Sequence, residues 1–238
     1  VTLTTLGLDL GQRSDYSALA AVECNGTEVR LTTQGEDPEY HVARPIEHVL
    51  IGPPVSFRCR HLQRWPLGTS YPRIVADVGQ LARRLSPPPI LGIDLGGVGI
   101  AVGNLFTLAG LPHVGVTITA GRQPNATDLG FTVPKRELVG AVQVALQAER
   151  LRIAKALPEA ETLVHELEVF DGKLSESGYE TLEARSGQHD DLLLALCLAC
   201  WVGERAILET FEQARADLEA AAFTAWANGQ TQVKIGSW

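Results

Sequence analysis

The chain has 238 residues, 45% of them hydrophobic and 20% charged, with a formal net charge of −8. That composition suits one large globular domain or two small ones. No run of about eighteen apolar residues offers a membrane span, VTLTTLGLDL lacks the basic start and cleavage site of a signal peptide, and the acidic balance argues against a protein that grips nucleic acid tightly and non-specifically by itself.

In chain order, TLGLDL (Thr5 to Leu10) alternates and is bounded by Gly11, so it reads as a strand. SALAAVEC reads as a second strand, and Asn25-Gly26 is a strong hairpin signal leading into EVRLTT, a third. The polar, proline-containing residues 34–56 are expected to be a loop excursion, and FRCRHLQRW another strand or a strand-like arm. TSYPRIVADVGQLARRL predicts a helix with Ser70 as N-cap, Pro72 in the first turn, and Ile74, Val75, Val78, Leu81, Ala82 and Leu85 on one face. PILGIDL is a short apolar strand ending at Asp94. Val98 to Ala109 is a helix closed by Gly110, and HVGVTIT is a strand.

Beyond it, Pro134 opens a helix running to about Glu149, and Glu159 to Phe170 forms another. DGKLSESGYETLEARSG reads as a polar hairpin turning at Ser177-Gly178. An apolar helix follows from His189, then a separate charged, Ala-rich helix over 204–228 and a flexible tail over 229–238. The expectation is an α/β domain over 1–203, built as a mixed sheet: a three-strand antiparallel meander plus parallel strands, flanked by helices. A right-handed crossover from the meander lays the Asp94 strand parallel to the first strand and near it. The sequence contains no Met, so either an initiator before Val1 is removed or the chain is a fragment of a longer one.

Cys197 and Cys200 form a CxxC, a spacing used by zinc and redox sites. No second ligand pair is near, and the pair sits inside LLLALCLACW. All four cysteines, Cys24 and Cys59 included, are expected to pack as small hydrophobes, reduced in a cytosolic setting.

The chemistry gathers around acids. Asp9 and Asp94 both end apolar strands at the edge where open α/β sheets place their sites. Taken singly, each suits a turn, since Asp-x-Gly is common turn chemistry. Taken together they would repel and resist ionising, and a divalent cation relieves that; oxygen-only ligands suit Mg²⁺ or Mn²⁺. A third acid comes from GQHDDLLLALCLACW. Leu192 to Val202 is apolar on every side, so the helix is buried and its first turn opens into the interior or a cleft. Helix capping and the helix dipole account for one aspartate there, not for His189, Asp190 and Asp191 together. Asp191 as third ligand, with Asp190 or His189 helping, completes a site for two cations. Such a pair, roughly 4 Å apart, clamps the attacking and leaving oxygens of a phosphodiester.

Strand Asp, strand Asp and helix Asp on this topology resemble the RNase H-like superfamily, and within it the nuclease domain of phage large terminase subunits. The resemblance is carried by GLDLGQRSDYSALA, ILGIDLGGVG, VPKRELVGAVQVALQ and GQHDDLLLALCLA, and spans about residues 3 to 203. It implies a metal-dependent DNA endonuclease of viral DNA packaging, with Asp9, Asp94 and Asp191 holding two Mg²⁺ or Mn²⁺ ions and Asp190 flanking. It further implies double-stranded DNA as substrate. A separate packaging ATPase, a portal or a small terminase subunit would be the protein partners, in the cytoplasm of a bacterial host, with no membrane contact. Packaging terminases also carry a P-loop ATPase; no GxxxxGK[ST] occurs here, so the chain is expected to be an excised nuclease domain or a standalone prophage-type relative.

Other classes make distinct demands. A Holliday-junction-resolvase-like nuclease shares the DLG motif. An actin-like-fold small-molecule kinase would use Asp9 and Gly11 for phosphate but would need two such halves, and it leaves the HDD helix unexplained. A non-catalytic packaging protein fits the acidic charge but not the intact carboxylates. Metal-dependent plasmid cleavage and ATP consumption separate these. In DLGGVGIAVG the glycines Gly97, Gly99 and Gly103 miss the dinucleotide-loop spacing. Lys135 and Arg136 open a helix, where positive charge opposes the dipole; contact with DNA phosphate is one reason to keep them, a solvated helix end the other. Arg13, Arg122 and Lys173 lie in loops near the same end and complete the candidate DNA contacts, while His113 and His165 read as structural.

Overall fold

The computed structural model describes residues 1–12, 15–36, 43–176 and 189–227, and within these only the backbone of strand residues from 27 to 53 and of helix residues 171–176 and 221–227. A strand β1 (Thr2–Asp9) is followed by two long strands, β2 (Ala18–Glu36) and β3 (Ala43–Arg64). Then come helix α1 (Tyr71–Ala82), β4 (Ile90–Asp94), α2 (Gly99–Leu108), β5 (His113–Thr119), β6 (Asn125–Thr127) and β7 (Gly130–Pro134). Helix α3 (Lys135–Gln147), β8 (Leu151–Ile153), α4 (Ala160–Glu176) and α5 (Asp191–Ala227) complete the order.

The strands form one eight-stranded sheet in the order β6-β7-β5-β4-β1-β2-β3-β8. Its centre is the expected plan. The meander β1-β2-β3 is joined by α1 to β4, which pairs parallel with β1, and β5 pairs parallel with β4. This mixed sheet flanked by helices is the RNase H-like arrangement.

The described residues divide into two units. The larger, Thr2–Cys24 and Ser56–Glu204, holds β1, β4 to β8 and α1 to α4. The smaller comprises Val1, Asn25–Val55 and the part of α5 from Arg205.

Alternation along β1 sorts its two faces. Leu6 and Leu8 join Leu19, Leu91 and Ile93 in a core with Ile74, Val75 and Val78 of α1 and Val102 and Phe106 of α2. The opposite face, Thr5, Gly7 and Asp9, meets α5: Thr5 Oγ1 donates to the Ala199 carbonyl at 2.8 Å. Gly7 is what lets the helix sit so close, since a Cβ there would lie 2.0 Å from Ala195 O and 2.5 Å from Ala199 N. Both obstacles are backbone, so no rotamer change relieves them. Gly7→Ala is therefore expected to cost about 3 kcal/mol or more, at or beyond the upper end of ordinary overpacking. Urea denaturation measures it, and an unchanged midpoint would mean that α5 is not seated on this strand.

Leu192 to Val202 is buried on all sides, and all four cysteines are free and buried, so the CxxC is core packing. Ser70 stands at the N-cap of α1, though its hydroxyl makes no capping hydrogen bond.

Several local expectations are corrected. Asn25-Gly26 makes no turn: β2 runs straight through it, with Gly26 N–H donating to the Val1 carbonyl at 3.0 Å, because ladder pairing overrides a local turn preference. Where described, the excursion expected over 34–56 is strand, to Glu36 in β2 and from Ala43 in β3. Only Phe57–Cys59 of β3 pair with β8, so Pro45, Pro53 and Pro54 fall outside the segment that β8 covers, the setting in which a strand tolerates proline. The hairpin expected from Asp171 is instead helix through Glu176; residues 177–187, with its Ser177-Gly178 turn, lie outside the described residues, as does the tail over 229–238. The last two expected helices are one 37-residue helix. Gly203 does not end it, because its role is clearance: a Cβ there would sit 2.3 Å from Cys24 Sγ. The three-residue β6 and β8 and the five-residue β7 were not foreseen.

Candidate active site

The register Leu8↔Ile93 places Asp9 beside Asp94 at the carboxyl ends of β1 and β4. Each strand then turns sharply. After β1, Gly11 N–H donates to Ser17 Oγ at 3.1 Å and Tyr71 Oη donates to the Gly11 carbonyl at 3.1 Å. After β4, Asp94 Oδ1 accepts the Gly96 N–H at 2.9 Å and the Ile118 N–H at 3.5 Å, and Gly97 takes a positive φ of 55°. The turn role of Asp94 is thus real, and it occupies one oxygen of the carboxylate.

Asp191 is the first residue of α5, on the helix that packs against the Asp9 face of β1. Asp9, Asp94, Asp190, Asp191 and His189 line one cleft of about 390 Å³, together with Asp15 and the glycine turns. Asp9 is 8% exposed and Asp191 5%. Burial pushes the Asp9 carboxyl well above its usual range, and Asp94, Asp191 and Asp190 add to the shift, against Lys135. Burial also raises Asp94, opposed by its two N–H donors and Lys135. Asp191 is pushed up to about 6, by burial first, with His189 opposing and Asp190 and Asp15 reinforcing. Its Oδ2 is buried without a hydrogen-bond partner, and His189 Nδ1 stands 3.7 Å away.

Burial makes these acids harder to ionise, and at Asp9 and Asp191 the neighbouring carboxylates add to it. The donors of the cleft are oxygens, the set that hard divalent cations take, and the orphaned Asp191 oxygen points to a cation as the missing partner. The donor set therefore fits a hard divalent cation. The side chains line the cleft without converging: among the described residues no three His, Cys, Asp or Glu stand together as a ready metal cage.

The basic candidates fall differently. Lys135 does not end in solvent; its Nζ lies 2.6 Å from Asp190 Oδ2 and 5.8 Å from the Phe170 ring centroid. Arg136 donates to the carbonyl of Arg122, which is exposed in the loop after β5. Lys173 lies on α4 rather than in a loop. Arg13 lies outside the described residues. His113 contacts Phe106 and the Leu111 carbonyl, away from the cleft.

Sequence reasoning missed Glu166. It is buried on α4, its Oε2 accepting the Leu193 N–H at 2.8 Å and its Oε1 lying 3.9 Å from Arg64 Nη1. Arg64 sits over the Tyr16 ring at 4.4 Å, and that ring meets His189 edge-on at 5.0 Å. The signal was present: Glu166 falls with Leu163 and Phe170 on the apolar stripe of its helix, where an acid is out of place.

No family model matches the chain, and no curated protein matches it. Solved structures do resemble it. The large terminase nuclease from thermophilic phage G20c is 17% identical over 83% of this chain and 81% of that one, with a TM-score of 0.49. The same nuclease with bound zinc is 16% identical over 83% and 80%, at 0.46. The human cytomegalovirus terminase nuclease domain is 11% identical over 84% of each chain, at 0.44.

Proposed function

We propose that the chain is a divalent-metal-dependent DNA endonuclease of the terminase nuclease type, cleaving phosphodiester bonds by a two-metal mechanism during viral DNA packaging. The observation that carries this is the cleft lined by Asp9, Asp94 and Asp191, from two strands and a helix, three acids whose ionisation burial opposes, one with an oxygen that has no partner. When bound there, divalent cations supply Lewis-acid stabilisation to a phosphate undergoing cleavage.

The chain's own residues do the rest. Asp9 and Asp94 are ligands on rigid strand ends. Asp191 comes from a helix whose buried face fixes its height over the sheet. Lys135 holds Asp190 aside as a flanking acid, and His189 stands at the exposed lip as an accessory group. Arg122 and Arg136 follow the carboxyl ends of β5 and β7, which run parallel to β4, so they share the cleft's edge of the sheet. With Arg13 and Lys173 they are the proposed contacts to duplex DNA, the ammonium of Lys135 being taken by Asp190. The nuclease is assigned to residues 1–203, with 204–228 as an appended helical segment. A packaging ATPase, portal or small terminase subunit in a bacterial cytoplasm is the proposed setting. No described helix is long and apolar enough to cross a membrane.

Plasmid DNA tests this directly. With Mn²⁺ or Mg²⁺ at low salt the protein is expected to nick or linearise supercoiled plasmid with little sequence preference, and chelator should stop it. Inertness with both metals, persisting when packaging proteins are added, would overturn the proposal, and ATP consumption without DNA would favour the kinase class.

A further inference from the structure

We infer that Glu166 caps α5 from the neighbouring helix α4, and that by doing so it acts as a positioning residue that holds Asp191 at the cleft. The inference rests on the nuclease proposal for its consequence and on geometry for its substance. The first turn of any helix has N–H groups with no partner inside the helix. The residue preceding the helix usually accepts one of them with its own side chain, most often the N–H three residues on. Asp190 holds that place, since its carbonyl accepts the Leu194 N–H at 2.9 Å. Its carboxylate, however, is engaged by Lys135 at 2.6 Å. The Leu193 N–H instead donates to Glu166 Oε2 at 2.8 Å.

An acid 5% exposed, with Oε1 lacking a hydrogen-bond partner, is a costly way to cap a helix. A serine or aspartate at position 190 capping its own helix would do it more cheaply. The arrangement makes sense if the two acids are needed elsewhere: with the cap on α4, Asp190 can pair with Lys135 while Asp191 keeps to the cleft. Arg64 extends the brace, lying 3.9 Å from Glu166 Oε1 and stacked on Tyr16, which in turn abuts His189. One buried acid thus ties the end of α5 to the end of β3 immediately behind the candidate ligands. Burial pushes the Glu166 carboxyl up to about 8, so an amide is a close mimic of the group at neutral pH.

Three variants test this: Glu166→Ala, which removes the cap; Glu166→Gln, which keeps an acceptor for the Leu193 N–H; and Leu163→Ala, which loosens the α4 core without touching the cap. Mn²⁺ affinity is measured by calorimetry, amide hydrogen exchange at 191–194 by mass spectrometry, and stability by melting. Glu166→Ala is expected to speed exchange at those amides and weaken Mn²⁺ binding about tenfold or more, the range for losing a group that orients a ligand. Glu166→Gln should stay near the parent in both, and Leu163→Ala should melt earlier with unchanged Mn²⁺ affinity. Parent-like Mn²⁺ binding by Glu166→Ala, or equal weakening by Leu163→Ala, would overturn the inference. Failure of the nuclease proposal looks different: the unmodified protein and Asp191→Asn would both show no saturable Mn²⁺ binding. Positioning for metal would then fall with it, while exchange at Leu193 would still decide the cap.

Discussion

Asp9→Asn is expected to abolish metal-dependent cleavage and at the same time raise the melting temperature of the metal-free protein. A ligand that carries several kcal/mol of transition-state stabilisation translates, at tenfold per 1.36 kcal/mol, into a loss of about a thousandfold or more. The stability gain has an independent origin. Asp9 is buried beside Asp94, Asp191 and Asp190, and ionising it works against burial and all three charges. The amide keeps the shape and drops the charge. Each kcal/mol recovered is worth roughly 2–4 °C in a chain of this size.

The pH dependence follows the same sign. Asp9, Asp94 and Asp191 all have folded pKa values raised above the unfolded carboxylate value of 3.8, Asp191 to about 6. Their contribution to stability is therefore fully present below about pH 4 and is lost as pH rises through about 6 and beyond. Melting curves in chelator from pH 5 to 8 should fall less steeply for Asp9→Asn than for the parent. If the variant instead melted several degrees lower at every pH, Asp9 would be a structural turn residue.

Asp190→Asn and Asp191→Asn are expected to differ sharply although the residues are adjacent. Successive helix residues turn by roughly 100°. Asp191 is 5% exposed with an orphaned oxygen, whereas Asp190 is spent on Lys135. Asp191→Asn should remove cleavage at any Mn²⁺ concentration. Asp190→Asn releases the Lys135 ammonium beside the ligands, so cation binding should weaken and cleavage should recover as Mn²⁺ is raised. His189→Ala should do less than either. If the aspartates were only helix caps, each variant would lose about 1 kcal/mol of stability and neither would lose chemistry. The Leu193 N–H is taken by Glu166 and not by either aspartate, which already weighs against that. Near-normal cleavage by Asp191→Asn would refute its place among the ligands.

What could be read from the sequence was what short-range patterns control. Alternation in TLGLDL and the apolar run PILGID each end in an acid, and the right-handed crossover rule aligned them, as the Leu8↔Ile93 register bears out. The burial of Leu192 to Val202 followed from its lack of any polar face. What could not be read depends on neighbours distant in the chain. Asn25-Gly26 is a turn by preference and strand by pairing. Gly203 resembles a helix terminator until Cys24 is seen to occupy the space a side chain would need. Lys135 had the look of a solvated helix end because nothing local announces Asp190, 55 residues on. Glu166 stands out locally as an acid on an apolar stripe, but its role does not, because its partner is a backbone N–H 27 residues away.

Anomalous scattering from a crystal soaked in Mn²⁺ addresses the central claim most directly. If the cleft is a nuclease centre, Mn²⁺ peaks should appear in the space bounded by Asp9, Asp94 and Asp191, with Asp190 still on Lys135. A fully soaked crystal with no peak there, or with Mn²⁺ only on surface acids, would contradict it.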